Sequence, residues 1–282
     1  MKIVGTIVEY NPLHNGHIYA INEIKRLSQA DGIVAVLSGN FTMRGDLSIF
    51  DKFEKTRQAL QAGLDLIIEL PFVCTVQNAD LFAKNAVSLL QLAKVSELWI
   101  GSESNHPKLY EECYQNWIQT AAQQKIKELL ASGKSYKEAS ASIIDLPSND
   151  LLGFSYYKAI KEANYPITVH TIKRMGSYDS LEAKEYASAY AIRNNLSLMD
   201  TYCPKYINPD LIRDANLLFP YLKYKILSSS ISELKEIFFV EEGLENRVKE
   251  ITACSHLKEI IDILSTKRYT KSRIQRMLCY IL

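Results

Sequence analysis

Lys2-Ile3-Val4-Gly5-Thr6-Ile7-Val8-Glu9-Tyr10-Asn11-Pro12-Leu13-His14-Asn15-Gly16-His17 opens the chain and decides its reading. The stretch from Lys2 to Glu9 is an apolar, β-branched run of strand length, and a helical pattern starts at Asn15 and runs to Ser28. The turn between them carries an HxGH motif. Working outward, Ile33 to Ser38 reads as a second strand and Asp51 to Ala62 as a helix closed by Gly63. Leu66 to Leu70 is a third strand stopped by Pro71, Ala79 to Leu92 a helix, and Leu98 to Gly101 a fourth strand. Strands that alternate with helices in this order predict an α/β, Rossmann-like parallel sheet covered on both faces. Ligands of such sheets bind at the carboxyl ends of the strands. Those ends are Tyr10 to His17, Gly39 to Gly45, Pro71 to Asp80 and Gly101 to Asn105.

Beyond Pro107 the pattern is helical and polar to Ile144. Asn149 reads as the N-cap of a helix over Leu151 to Ala163. Thr168 to Lys173 is expected to be the last strand, followed by a loop around Gly176. From Tyr186 to the end only helices are predicted, joined near Asn208-Pro209 and Gly243. Residues 1–180 are therefore expected to form the sheet domain, with a helical insertion over about 107–148, and 181–282 a mainly helical region.

The chain of 282 residues is 47% hydrophobic and 23% charged, which excludes whole-chain disorder, collagen-like repeats and a disulfide scaffold. Its longest apolar runs, such as Leu64 to Phe72 with Asp65 and Glu69 inside, fall short of the ~20 residues of a membrane span. Without a signal-peptide pattern, and with scattered Cys74, Cys113, Cys203, Cys254 and Cys279 that never form a C-x-x-C pair, a reduced, cytoplasmic protein with no resident metal is expected.

The net charge is only +1, yet its distribution is uneven. Residues 1–107 hold 9 basic against 11 acidic side chains, whereas 151–226 hold 10 against 7 and ten tyrosines. Lys267, Arg268, Lys271, Arg273 and Arg276 cluster near the end without an acid between them. Such a segment can meet nucleic-acid phosphates, and tyrosines can stack on unpaired bases; solvated helix faces and core tyrosines explain the same composition.

The chemistry concentrates at His14 and His17. The glycine between them admits a phosphate close to the backbone, and both imidazoles project from the first turn of a helix, where the N-terminus already favours an anion. Nucleotide triphosphate binding follows, with the histidines as the catalytic charge partners of adenylyl transfer. Read without its context, the tetrapeptide could be coincidence, or half of a metal site with Glu9 as third ligand. Asp46, Asp80 and Glu103 on the same edge could orient an amine or a magnesium ion, but singly each is more simply a cap or a loop charge. Ser38-Gly39-Asn40 could wall in a small carboxylate, or form an ordinary turn.

These motifs, in order, are similar to those of the tRNA(Met) cytidine acetate ligases of the HxGH nucleotidyltransferase superfamily. The resemblance spans the chain. It runs from Gly5 through Glu9 to His17, Leu37-Ser38-Gly39-Asn40-Phe41 to Arg44-Gly45, and Gly63 to Ile68-Glu69-Leu70-Pro71. It continues over Asn78-Ala79-Asp80, Gly101-Ser102-Glu103, Asn149 to Gly153, Lys173-Arg174, Ala187-Ser188-Ala189 to Ile192-Arg193, and Thr266 to Thr270. It implies that ATP and acetate form acetyl-adenylate and that the acetyl group passes to N4 of the wobble cytidine of elongator tRNA(Met). It implies ATP contacts at Ile7, Val8, Glu9, Tyr10, Asn11, Pro12, Leu13, His14, Asn15, Gly16, His17, Ile18, Tyr19 and Ala20, and at Gly101, Asn149 and Arg174. Mg2+ beside the ATP is compatible with this but not shown by the sequence. Members usually continue past Arg276, so a reduced tRNA surface is expected. The alternative is a nucleotidyltransferase or carboxylate–amine ligase of the same superfamily that acts on a small molecule without RNA.

Overall fold

The computed structural model describes residues 1–134, 136–174, 186–251 and 254–282. The chain runs β1 (Ile3–Val8), α1 (Asn15–Ser28), β2 (Gly32–Ser38), α2 (Lys52–Gln61), β3 (Leu66–Leu70), α3 (Phe72–Thr75), α4 (Ala79–Leu92) and β4 (Glu97–Ser102). Helices α5 (Lys108–Trp117), α6 (Thr120–Ala131), α7 (Tyr136–Ala141) and α8 (Ser148–Glu162) then lead to β5 (Thr168–Lys173). The remainder is helical: α9 (Ala189–Asn194), α10 (Met199–Tyr202), α11 (Phe219–Ser228), α12 (Ile231–Lys235), α13 (Leu244–Lys249), α14 (Leu257–Leu264) and α15 (Lys271–Ile281). The predicted loop around Gly176 lies outside the described residues.

All five strands are parallel, in the order β3-β2-β1-β4-β5. The order reverses between β1, from which the chain crosses to β2, and β4, reached from the far edge. The carboxyl ends of β1 and β4 thus flank the switch point at which such sheets take ligands.

Local chemistry sets the helix ends. Asp51 caps α2 by accepting from the Glu54 N–H, Asn78 caps α4 by accepting from Leu81, and Gly63 leaves α2 with φ +101°, a left-handed conformation that favours glycine. One cap expectation is corrected. The helix over 148–162 begins at Ser148, behind Pro147, so Asn149 stands in its first turn and its side chain is used elsewhere. The stretch after Pro71, read as loop, also contains the single turn α3.

Two cores sandwich the sheet. On one face α4 and α8, with α5 to α7 outside them, bury Val34, Val36, Leu98 and Ile100. On the other, α1 and α2 bury Val4, Ala35, Leu37 and Trp99, and are joined there by Ala187, Ile192, Met199, Cys203 and Ile207. A third core of Leu222, Leu234, Leu244, Ile260, Ile274 and Met277 belongs to the helices from α11 onward. Where the sequence reading divides the chain at 180, these clusters group 187–207 with the sheet. Among the described residues no helix is long and apolar enough to cross a membrane.

Candidate nucleotide site

The first β-to-α turn folds on itself through its two histidines. His14 is the N-cap of α1; its Nδ1 accepts from the Gly16 N–H at 3.1 Å, while His17 Nδ1 accepts from the His14 N–H at 3.3 Å. This is a capping box built from imidazoles, in the place where a serine and a glutamate usually stand. It has a chemical consequence. With both Nδ1 atoms acting as acceptors, each neutral ring carries its proton on Nε2, and both Nε2–H groups are donors available to a ligand. The rings stack at 3.7 Å, and Tyr10, itself in the left-handed region at φ +44°, tilts against His17 at 4.8 Å. A Cβ on Gly16 would lie 2.9 Å from His14 Cε1, so only glycine lets the His14 ring fold back over the helix start.

Burial holds the His14 imidazole down to about 3, and the nearby Arg174 charge adds to the effect. Burial, His14 and Arg174 together hold His17 well below the ordinary histidine value. Both rings are therefore neutral at physiological pH. No acidic residue stands in the first turn of α1 to oppose an incoming anion.

Across the switch point, Arg174 follows β5 and its N–H donates to the Ser102 carbonyl at 2.9 Å. Its side chain lies over Gly101, where a Cβ would stand 3.2 Å from Arg174 Cγ. Gly101 thus permits Arg174 to approach the histidine pair. Asn149, freed from capping, donates from Nδ2 to Glu103 Oε1 at 2.6 Å. The adjacent Asp150 is fully buried and accepts from Ser102 Oγ, from the Ser104 N–H at 2.9 Å and from Tyr110 Oη at 2.9 Å. Burial alone would raise its pKa; these hydrogen bonds win and lower it.

The structure thus brings together His14, Gly16, His17, Gly101 and Arg174, with Asn149 at the rim. Not every residue of the expected cradle points inward. Leu13 is wholly buried in the core, and Tyr19 turns to Tyr186, with ring centroids 6.3 Å apart. Asn11 is buried and structural: its Oδ1 accepts from the Ile49 N–H at 2.9 Å. Glu9 accepts from the Met43 N–H at 2.6 Å, and burial raises its pKa. The other acids of this edge are also engaged, Asp46 with Gln275 at 2.6 Å and Asp80 with Lys158 at 2.8 Å. Among the described residues no three His, Cys, Asp or Glu side chains converge as a metal site.

Two supporting residues are given no role by the sequence, although Arg193 stands in a stretch that carries the family resemblance. Arg193 of α9 donates to the Asn11 carbonyl at 2.6 Å and clamps the nucleotide turn from above. Lys55 of α2 is completely buried beneath the loop after β2, where its Nζ donates to the carbonyls of Ser38 at 2.7 Å and Gly39 at 3.0 Å, and to Ser48 Oγ at 3.2 Å. Burial pushes its pKa down to about 8, against the opposing pull of Glu9.

Four of the five basic residues near the end have partners. Arg268 pairs with Glu242, Lys271 with Asp262 and Arg273 with Glu241, at 2.6, 2.6 and 2.7 Å. Arg276 lies over the Phe239 ring, its centroid 5.8 Å away, and Lys267 is exposed.

Comparison with known proteins agrees with this geometry. Residues 1–282 match the family model described as HIGH Nucleotidyl Transferase. The tRNA(Met) cytidine acetate ligase of Bacillus licheniformis is 38% identical over 316 aligned positions that take in 100% of this chain and 76% of that protein. The enzyme of the same name from Geobacillus sp. is 36% identical, covering 100% and 78%. Crystal structures of Thermotoga maritima TmcAL superpose with TM-scores of 0.90 for the apo form and 0.88 for the form bound with alpha-thio ATP, at 28% and 29% identity. They cover 100% of this chain and 75% and 74% of theirs. A neutral histidine pair capping the first helix of a parallel sheet, an arginine brought in over a glycine, and relatives matched along the whole chain lead to one assignment: the chain belongs to the tRNA(Met) cytidine acetate ligase family of HIGH nucleotidyl transferases.

Proposed function

We propose that the chain joins acetate to ATP and passes the acetyl group to N4 of the wobble cytidine of elongator tRNA(Met) in the cytoplasm, giving N4-acetylcytidine. The observation that carries this is the pair of Nε2–H donors at the start of α1, facing Arg174 and held neutral by burial. An acetate oxygen attacks the α-phosphorus, the bond to the β-phosphate breaks, and pyrophosphate leaves. Negative charge gathers on the α-phosphate and the departing group. Two fixed N–H donors, a guanidinium and a helix N-terminus stabilise that charge without reorganising. In the second step N4 attacks the acetyl carbon, the bond to the AMP oxygen breaks, and N4 loses a proton. Gly101 lets Arg174 lie against β4 beside the adenosine, and Asn149 with Glu103 closes that side. Mg2+ would travel with the triphosphate and offset part of its charge. Of the five basic residues near the end, the exposed Lys267, Arg268 and Lys271 are assigned to the tRNA backbone, while Arg273 and Arg276 are held within the helical region.

Incubation with ATP, acetate and unmodified tRNA(Met), followed by mass spectrometry of the nucleosides, is expected to show cytidine heavier by one acetyl group. Acetate-dependent ATP–pyrophosphate exchange should fall at least ~100-fold in His17→Ala, as for a lost transition-state donor. Acetyl-adenylate formed without any change in the RNA would instead support action on a small molecule.

A further inference from the structure

The carboxyl ends of β2 and β3 enclose a pocket of about 310 Å3 whose lining includes neither the histidines nor any other residue assigned to ATP. It is lined by Gly39, Asn40 and Phe41 after β2, by Lys52 at the start of α2, and by Glu69 and Phe72 at the end of β3. β2 is the neighbour of β1, so the pocket opens on the same sheet edge as His14 and His17, displaced along it by one to two strand spacings, ~5–10 Å.

Its chemistry is specific. Lys52 Nζ lies 2.8 Å from Glu69 Oε2 and 3.1 Å from Oε1, which sets a donor beside an acceptor at the pocket wall. The Glu69 carboxylate sits directly over Gly39, where a Cβ would be only 2.5 Å from Oε1, so the glycine makes room for that position. Phe41 and Phe72 meet edge to face with centroids 5.5 Å apart and supply apolar ring surface. The aromatic row continues from Phe72 to Tyr280 at 5.1 Å and on to the half-exposed Phe238 at 5.2 Å.

We infer that this pocket receives an unpaired cytosine base, with the Glu69 carboxylate accepting from the N4 amine and Lys52 donating to N3. Stacking on aromatic rings with hydrogen bonding along the Watson–Crick edge is how single-stranded bases are read, and a carboxylate that accepts from N4 is the pairing proper to cytosine. The pair also discriminates. Uracil presents an acceptor, O4, and a donor, N3–H, at the same two positions, so acceptor would face acceptor and donor would face donor. Delivered here, the amine stands one strand away from the acetyl-adenylate. This inference rests on the acetyl-transfer reading above.

The test uses the full chain with unmodified tRNA(Met) and radiolabelled acetate, and compares wild type with Glu69→Ala, Glu69→Gln and Lys52→Ala. Acetate-dependent ATP–pyrophosphate exchange without RNA should stay within ~3-fold of wild type, because the pocket lies outside the nucleotide site. Acetyl transfer, as kcat/KM for tRNA, should fall at least ~10-fold in Glu69→Ala. Glu69→Gln should recover part of the loss, since its amide oxygen still accepts from N4, a rescue that a merely structural ion pair would not give. Unchanged transfer in Glu69→Ala and Lys52→Ala, or exchange that falls together with transfer, would overturn the assignment of the pocket. A wild-type chain that exchanges but never acetylates tRNA overturns the acetyl-transfer reading itself, and this ligand with it.

Discussion

His14 and His17 show how one pair of side chains serves stability and chemistry at once. The hydrogen bonds that cap α1 consume both Nδ1 atoms and leave both Nε2–H groups for the ligand. That arrangement has a pH signature. The free imidazole titrates near pH ~6.5, and burial followed by the Arg174 charge brings His14 to about 3 in the folded chain. Between those values the unfolded chain holds the proton and the folded chain does not, so stability is fully present above pH ~6.5 and is lost as the pH falls toward the folded value. His17 shifts in the same direction. Urea unfolding of the unliganded protein should therefore lose up to ~1.4 kcal/mol per pH unit for each histidine on acidification below pH ~6. His14→Asn combined with His17→Gln, which keep capping groups that do not titrate, should flatten the slope by that amount. Equal slopes in the two proteins would show that the imidazoles are free to protonate where they stand. The HxGH spacing makes the pair legible in the sequence. The tautomer is not legible there, because it depends on which nitrogen each ring turns toward the backbone.

At the scale of elements, the strands and helices of the sheet follow closely from the sequence, and the reason is that their signals are local. Asp51, Asn78 and Gly63 act on residues within one turn of themselves. Asn149 departs from its expected role for the complementary reason. A residue type that caps helices also pairs across elements, and here the Glu103 carboxylate, 46 positions away, takes its amide. Lys55, buried under the loop after β2, looks like an ordinary surface charge until the fold surrounds it, and Arg193, bonded to Asn11 across 182 positions, and Asp150 stand in motif stretches whose spacing does not disclose what they bind. Asp150 is the joint between β4 and α8. Its carboxylate satisfies the Ser102 hydroxyl, the Ser104 N–H and the Tyr110 hydroxyl, and the Ser102 carbonyl in turn positions Arg174. Asp150→Ala strands two buried donors, the Ser102 and Tyr110 hydroxyls, and frees the N–H of the exposed Ser104, so a loss of about 2 kcal/mol or more is expected in denaturant unfolding. Calorimetry of the same variant, at a temperature where it is folded, should show weaker ATP binding, because Arg174 loses its anchor. A stability change below ~1 kcal/mol would mean that water replaces the carboxylate and that the joint is not rigid.

For the molecule as a whole, the question is how a helical region with its own core is held to the sheet and what it offers to RNA. Helix α15 makes the connection: Gln275 Nε2 donates to Asp46 Oδ1 at 2.6 Å, Cys279 Sγ lies 3.0 Å from the Gly45 carbonyl, and Gln77 Nε2 donates to Tyr280 Oη at 3.0 Å. Gly45, at φ +87°, touches the backbone of Arg276 so closely that a Cβ would stand 2.7 Å from its nitrogen. Arg276 is consequently committed to this junction, with its guanidinium over Phe239, and Arg273 is held inside the helical region by Glu241 and the Tyr269 ring. The cations free to meet phosphate are the exposed Lys267, Arg268 and Lys271. Two of these pair with Glu242 and Asp262, but exposed ion pairs are worth only ~0–1 kcal/mol, so exchanging a carboxylate for a phosphate costs little. Replacing Lys267, Arg268 and Lys271 together by Ala removes three cations and leaves two acids facing the RNA. Affinity for tRNA, followed by fluorescence anisotropy between ~50 and ~200 mM KCl, should fall, and its logarithmic salt slope should flatten by ~0.7–0.9 for each phosphate that is no longer neutralised. Acetate-dependent exchange without RNA should not change, since the three residues lie away from the histidine turn. An unaltered slope would show that these cations serve only their carboxylate partners. The tRNA would then be gripped by the aromatic row that leads from Phe238 through Tyr280 to Phe72, where binding depends far less on salt.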